Sequence, residues 1–153
     1  VYIRSNKGKY PTFTPEGRRF QPGKAEVLSE GTDIGLITTG ITTAEGIRAV
    51  NELEKLGVRV QHLHMPSIKP LDKEAIAQTA KKTGLIVTVE NHTIYGGLGS
   101  AVAETLCEMQ PTKLVRLGLQ DHFGETAKLR YMMHKYGIDD ASIVSTIRAL
   151  LKK

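Results

Sequence analysis

Short, uninterrupted apolar runs constrain the fold of this chain more than any other feature of its sequence. Residues 85–90 read LIVTVE, and residues 33–39 read DIGLITT. Neither run shows the polar alternation of a half-exposed strand, so each is predicted to be buried on both faces, as strands are in parallel sheets covered by helices. Three further segments read as strands, at residues 25–28, 58–64 and 113–117.

Helical patterns separate and follow these strands. They lie at residues 43–56, 72–83, 98–108, 126–136 and 142–152. Thr42 or Thr43 is the expected N-cap of the first helix, and Gly57 and Gly84 follow the first two as stop signals. Strands that alternate with helices indicate a three-layer α/β/α fold. The prediction is a five-stranded, mostly parallel sheet whose first strand, near Ala25, runs antiparallel.

The first 24 residues differ from the rest of the chain. Residues 5–24 are polar and are interrupted repeatedly by proline and glycine. A loop of this length is uncommon inside a compact domain and reads as a linker. We therefore divide the chain into residues 1–24, the end of a preceding domain plus a linker, and residues 25–153, the α/β domain.

Composition and charge exclude several classes of protein. The formal charge is +5, but the 21 basic residues are dispersed among 16 acidic ones, and aromatic residues make up only 5%. No nucleic-acid surface is expected from this pattern. No apolar stretch is long enough to span a bilayer. The single cysteine, Cys107, lies in an apolar helical pattern and is expected to be a small core residue.

A glycine-rich segment, residues 90–102 (ENHTIYGGLGSAV), follows a strand and opens a helix. Glycines before a helix can let backbone amides bind a phosphate. The spacing departs from the dinucleotide fingerprint, because Val102 stands where its third small residue belongs. Two interpretations remain open: a tight turn that packs the helix on the sheet, and a nucleotide-binding regulatory site at residues 96–100.

Four histidines are the other candidates for chemistry. His92 and His122 each follow a strand, which places them on the edge of the sheet where α/β proteins bind ligands or partners. His62 and His64 share one face of a strand, but two ligands do not make a metal site. No nucleophile, base and orienting group occur at a recognisable spacing. The sequence therefore predicts no catalytic, cofactor-binding or metal-binding residues.

Four stretches, in order, resemble the C-terminal domain of transketolases. They are EGTDIGLITTG, SIKPLDKEAI, VTVENHTIYGGLGSAVAE and RLGLQDHFGETAKLRYMMHKYGID. The resemblance covers essentially the whole chain. Two relatives end in the same domain and remain alternatives: deoxyxylulose-phosphate synthases and the β subunits of 2-oxoacid dehydrogenases. Asn91 and the pair Thr126-Ala127 depart from the usual transketolase residues.

The resemblance implies a function for a larger enzyme. Transketolases transfer a two-carbon ketol unit between sugar phosphates in the pentose phosphate pathway, with thiamine diphosphate and a divalent metal such as Mg²⁺ held by preceding domains. It implies N-terminal domains or a subunit as partner, a dimeric and cytoplasmic holoenzyme, and a chain that assembles the enzyme but is inactive alone. Residues 1–8 (VYIRSNKG) resemble the last strand of the pyrimidine-binding domain, where Arg4 matches an arginine that contacts the substrate phosphate.

Overall fold

The computed structural model describes residues 1–3, 10–14 and 16–152. Five strands and five helices follow one another in this part of the chain. The strands are β1 (Glu26–Ser29), β2 (Ile34–Thr38), β3 (Val60–His64), β4 (Leu85–Thr93) and β5 (Lys113–Leu119). The helices are α1 (Thr42–Lys55), α2 (Lys73–Thr83), α3 (Leu98–Met109), α4 (Leu129–Lys135) and α5 (Asp140–Leu151). Within the described residues, no helix is long and apolar enough to cross a membrane.

The strands form one sheet in the order β1-β3-β2-β4-β5. β3, β2, β4 and β5 are mutually parallel, and β1 pairs antiparallel with β3. The predicted fold class is therefore confirmed, including the antiparallel first strand. β2 lies between β3 and β4 in the sheet. The chain passes from β2 to β3 on one side and then crosses to β4 on the other side, so the direction of winding changes between β2 and β4.

Two apolar clusters cover the faces of the sheet. Ile34 and Leu36 of β2 face one layer, which α1, α4 and α5 close with residues such as Leu53 and Ile147. Ile37 of β2 faces the opposite layer, closed by α2 and α3. Every residue of β2 and residues 86–90 of β4 are buried, as the apolar runs predicted for strands covered on both faces. Every residue of β3 is buried as well.

A buried carboxylate ties the helices of the first layer together. Glu45, in the first turn of α1, accepts hydrogen bonds from Arg130 Nη1 at 3.0 Å and from the backbone amide of Asp140 at 3.1 Å. Arg48 forms an ion pair with the same carboxylate. Charged groups that are buried need such partners. Glu45 therefore fixes α4 and the start of α5 against α1.

Several sequence predictions need correction. α4 begins at Leu129 instead of residue 126, because Lys128 is still extended, with ψ at 136°. α5 begins at Asp140 instead of Ser142, because the Asp139 side chain accepts from the amide of Ser142 and caps the helix. Neither Thr42 nor Thr43 caps α1, whose N-cap is Ile41. Cys107 is exposed on α3 and is not a core residue.

Candidate functional site

The carboxyl ends of β2, β4 and β5 lie along one edge of the sheet, and the loops that follow them form a surface that we call the carboxyl rim. It comprises residues 39–41, 94–97 and 120–128. A cavity of about 330 Å³ opens between β2 and β4, with Gly40 and Ile41 on one side and Asn91 and His92 on the other. This is the position at which open α/β sheets bind ligands, because neighbouring loops diverge there.

Glu90 is a buried side chain of β4 that lies next to the carboxyl rim. It is 1% exposed, and its two oxygens accept from the backbone amides of Leu98 at 2.8 Å and Gly99 at 2.7 Å. These amides are the first donors of α3, which has no intrahelical acceptors for them. A carboxylate at this end also complements the helix dipole. The Glu90 carboxylate therefore occupies the position at the start of α3 that a bound anion takes in phosphate-binding loops.

The glycines of this segment permit close packing. A Cβ on Gly97 would lie 1.9 Å from Glu90 Oε2, and a Cβ on Gly99 would lie 2.8 Å from Arg116 Cδ. The absent side chains thus let α3 approach the carboxylate and the sheet. Because Glu90 fills the amides that a phosphate would need, the geometry favours the tight-turn interpretation over a nucleotide site at residues 96–100.

A buried polar network joins β3, β2 and α1 beneath the β2–α1 loop. His62 Nε2 lies 2.9 Å from Thr38 Oγ1, Thr38 Oγ1 lies 3.1 Å from Thr43 Oγ1, and Thr43 Oγ1 lies 2.9 Å from His64 Nδ1. With Thr38 donating to Thr43, His62 donates at one end and His64 accepts at the other. Gly46 lets α1 pack on this network, since a Cβ there would lie 2.9 Å from the His62 ring.

Burial keeps both imidazoles of this network neutral. It is the main cause that lowers the pKa of His62 to about 3, with a contribution from His64. Burial also lowers the pKa of His64 to about 4, with a contribution from Arg18, while the Thr38 backbone acts in the opposite direction. A neutral His64 suits the network, because its unprotonated Nδ1 accepts the hydrogen bond that Thr43 Oγ1 donates.

The other residues singled out from the sequence fall in separate places. His92 is exposed beside the β2–β4 cavity, whereas His122 is exposed on another loop of the carboxyl rim and stacks on Tyr136 at 6.2 Å. His62 and His64 share a buried face, as predicted. Among the described residues, no group of three or more His, Cys, Asp and Glu side chains could hold a metal. Arg4 lies outside the described residues.

Sequence reasoning missed Glu90 and the two threonines of the buried network. One signal was present, because Glu90 is an acidic residue at the end of the apolar run LIVTVE. A lone acidic residue at the end of a buried strand needs a donor set nearby. The glycines at 96, 97 and 99 made the first amides of α3 the nearest candidates.

The strand order, in which the direction of winding changes between β2 and β4, defines a doubly wound α/β domain. At this switch point the Glu90 carboxylate accepts from the first amides of α3, where phosphate-binding loops hold a phosphate. Comparison with protein families gives the particular family. The "Transketolase, C-terminal domain" family matches residues 23–143, and the chain belongs to it.

Similar proteins include subunits of split transketolases. The chain is 41% identical over 144 residues to a 6-deoxy-6-sulfo-D-fructose transketolase subunit of Clostridium sp. (strain MSTE9), covering 94% of this chain and 45% of that protein. It is 37% identical over 138 residues to 1-deoxy-D-xylulose-5-phosphate synthase 1 of Geobacter sulfurreducens, covering 89% of this chain and 22% of that protein.

A solved structure has the same fold. It is described as a split gene transketolase in the form of an inactive beta4 tetramer; its TM-score is 0.88 at 38% identity, over 94% of this chain and 47% of that one. The chain thus spans about half the length of the transketolase subunits it matches. Recognition from the four sequence stretches is confirmed.

Proposed function

We propose that this chain supplies the C-terminal domain of a thiamine-diphosphate-dependent transketolase that transfers two-carbon ketol units between sugar phosphates. The observation that carries the proposal is its similarity over 94% of its length to a subunit of a transketolase. In this proposal the domain supports assembly of the enzyme, and the chemistry takes place on the part that precedes it. A cytoplasmic, homodimeric holoenzyme completes the proposal.

The described residues do not themselves fit thiamine diphosphate or its metal. A diphosphate needs free amides or cations, and the first amides of α3 are filled by Glu90. A divalent metal needs a set of oxygen or nitrogen ligands, and none of the described clusters provides three. We therefore place the cofactor and Mg²⁺ on the preceding, pyrimidine- and diphosphate-binding part of the parent enzyme.

Turnover by the assembled enzyme tests this proposal. The chain is combined with the missing part of its enzyme, thiamine diphosphate, Mg²⁺ and sugar phosphates, and transfer of the two-carbon unit is followed by product analysis. Turnover is expected for the assembly and not for the chain alone, since in this proposal the cofactor is held by the preceding part of the enzyme. Activity of the chain alone would refute the inactive-fragment proposal.

The alternative is a deoxyxylulose-phosphate synthase, which the relative from Geobacter sulfurreducens favours. The same assembly distinguishes the two by its product. Formation of 1-deoxy-D-xylulose 5-phosphate without ketol transfer between sugar phosphates would support the alternative. A 2-oxoacid dehydrogenase β subunit is a separate alternative, and activity of the assembly on a 2-oxoacid without transfer to a sugar phosphate would support it.

Arg4 is the residue of this chain that we propose contacts substrate. A guanidinium forms paired, charge-assisted hydrogen bonds with a phosphate, and a sulfonate presents a similar set of oxygens. Arg4→Ala in the complete enzyme is expected to lower kcat/KM for an anionic sugar by about 10- to 100-fold, the loss of one or two such bonds. The measurement is steady-state kinetics with each sugar.

The neutral sugar that lacks the phosphate provides the control for Arg4. Its already low kcat/KM is expected to change by less than about threefold in the Arg4→Ala enzyme, because no anion is present to bind. Arg4→Lys keeps the charge but not the paired geometry, and an intermediate loss is expected. Equal losses for the anionic and the neutral sugar would mean that Arg4 acts on folding or assembly instead.

A further inference from the structure

Two aromatic side chains on the carboxyl rim are exposed although the loops that carry them are fixed. Phe123 is 98% exposed in the loop after β5, and Tyr95 is 60% exposed in the loop after β4. Single exposed apolar residues are ordinary on a protein surface. Two exposed aromatic side chains on loops that are held by specific hydrogen bonds suggest a contact surface, because aromatic residues are enriched at protein interfaces and contribute much of their binding energy.

The loop that carries Tyr95 is held from below. Arg116 Nη1 donates to the Ile94 carbonyl at 2.8 Å, and its guanidinium lies 6.0 Å from the centre of the Tyr95 ring. Ser100 Oγ accepts from the Gly96 amide and donates to the Ile94 carbonyl, both at 2.9 Å. The backbone on both sides of Tyr95 is thus bonded, while the ring remains accessible.

The loop that carries Phe123 is held from its other end. Lys135 Nζ donates to both Glu125 oxygens, at 2.8 and 2.6 Å, and Tyr136 Oη donates to Glu125 Oε1 at 2.9 Å. The hydrogen bond from Lys135 and then that from Tyr136 lower the pKa of Glu125. His122 stacks on Tyr136. Phe123 lies between His122 and Glu125 in the sequence, and its ring remains 98% exposed.

The segment that leads into the domain lies at the same edge of the sheet. The Phe13 ring contacts His64, the last residue of β3, edge-on at 5.1 Å. Tyr10, Phe13 and Phe20 line a cavity of about 480 Å³ together with Gly40 and Ile41 of the carboxyl rim. Because β2, β3, β4 and β5 are parallel, their carboxyl ends share this edge. Tyr10, Phe13 and Phe20 therefore lie at the edge of the sheet that also carries the loops of Tyr95 and Phe123.

We propose that Tyr95 and Phe123 are anchor residues with which the carboxyl rim docks on the preceding, catalytic part of the enzyme. The proposal rests on the proposed function for the identity of that part. More than half the length of the similar transketolase subunit lies outside the matched region. Val1, Tyr2 and Ile3, at the start of the chain, are also exposed and apolar. Holding the loops in advance lowers the entropy lost on docking.

Cysteine reactivity in the complete enzyme tests the docking. Phe123→Cys and Tyr95→Cys are made singly, and alkylation by N-ethylmaleimide is followed by mass spectrometry. Each new thiol is expected to react at least tenfold more slowly in the complete enzyme than in the chain alone. Cys107, exposed on α3, is the internal reference, and Leu56→Cys is the matched control, since Leu56 is exposed just after α1, at the opposite edge of the sheet.

A binding measurement complements the reactivity measurement. With the preceding part expressed separately, Phe123→Ala is expected to raise the dissociation constant of the two parts at least tenfold, whereas Leu56→Ala leaves it unchanged. Glu125→Gln, which weakens the attachment to Lys135 but keeps the aromatic ring, is expected to raise it about threefold. Circular dichroism and a thermal melt of each variant chain separate loss of docking from loss of folding.

Two outcomes would overturn the inference. Equal alkylation rates at position 123 with and without the preceding part would show that the carboxyl rim does not dock on it. If alkylation of the chain alone is slow and becomes slower as the chain concentration rises, the surface is covered by a second copy of the chain. Neither readout requires turnover, so an enzyme that fails the transketolase assay still reports on docking. An active enzyme whose Cys at position 123 reacts as fast as in the chain alone would refute the docking and leave the proposed function intact.

Discussion

Acidification from pH 7 to pH 4.5 is expected to lower the free energy of unfolding of the domain by up to about 5 kcal/mol through His62 and His64 alone. Both side chains are nearly inaccessible, at 1% and 6% exposure. A domain of this size is stable by roughly 5–15 kcal/mol, so the loss is comparable with its whole stability. We therefore expect the domain to unfold at a clearly lower denaturant concentration at pH 4.5 than at pH 7.

The sign follows from which state binds protons. The pKa of each imidazole is lowered on folding from 6.5, to about 3 for His62 and about 4 for His64. Below pH 6.5 the unfolded chain takes up protons that the folded chain excludes, so stability is complete above that pH and falls below it. Each group contributes about 1.4 kcal/mol per pH unit until its folded pKa is reached.

Denaturant unfolding at several pH values measures this effect. His64→Gln removes one titrating group, and the loss of stability between pH 7 and pH 4.5 is expected to shrink by about 2.5 kcal/mol, half of the total. His92→Gln, at an exposed position near the carboxyl end of β4, is the matched control. The comparison uses the slope with pH, so a constant loss of stability in the variant does not affect it. Identical slopes in all three proteins would contradict the assignment.

The architecture could be predicted because each element carries its own local signal. The runs at residues 33–39 and 85–90 predicted buried parallel strands, and the chain places β2 and β4 there, adjacent to each other. The glycines at 57 and 84 ended their helices with positive φ, as their role as stop signals requires. Periodicity and punctuation depend on neighbouring residues alone, so no tertiary information was needed.

The candidate site could not be predicted in the same way, because its residues are joined only by the fold. Glycines before a helix are compatible with a phosphate loop and with close packing, and one carboxylate decides between them. That carboxylate, Glu90, meets α3 only after the chain has turned through the loop at residues 94–97. The partners of His62 and His64 likewise come from β2 and α1.

Cys107 is a residue whose burial could not be predicted from its neighbours in the sequence. Its apolar neighbours in sequence predicted burial, but the buried face of α3 passes through Val102, Thr105 and Leu106 and leaves residue 107 toward solvent. Adjacent residues on a helix are rotated by about 100° relative to each other, so a residue with apolar neighbours in the sequence can still lie outside the buried face. The direction of the stripe is set by the sheet, which the local pattern does not specify.

Glu90→Ala is expected to destabilise the domain by about 3 kcal/mol, because two buried amides of α3 lose the carboxylate that accepts their hydrogen bonds. For a chain of this length this corresponds to a fall in Tm of roughly 6–12 °C. Glu104→Ala, on the exposed face of the same helix, is the control and is expected to change Tm little. Thermal melts followed by circular dichroism measure both.

Gly97→Ala tests the same contact from its other side. The added Cβ would lie 1.9 Å from Glu90 Oε2, so the carboxylate must move and lose its bonds to Leu98 and Gly99. The expected cost is about 2–3 kcal/mol. At φ −101° the backbone of Gly97 suits alanine, so the penalty arises from the contact and not from the backbone.

The double variant separates this contact from general damage to the turn. With Glu90→Ala already present, the Cβ at position 97 has no carboxylate to displace, and Gly97→Ala is expected to be nearly neutral. The two costs should therefore fall short of additivity by at least about 1.5 kcal/mol, as they do for residues in direct contact. Additive costs would mean that Gly97 is required for some reason other than the seating of Glu90 at the start of α3.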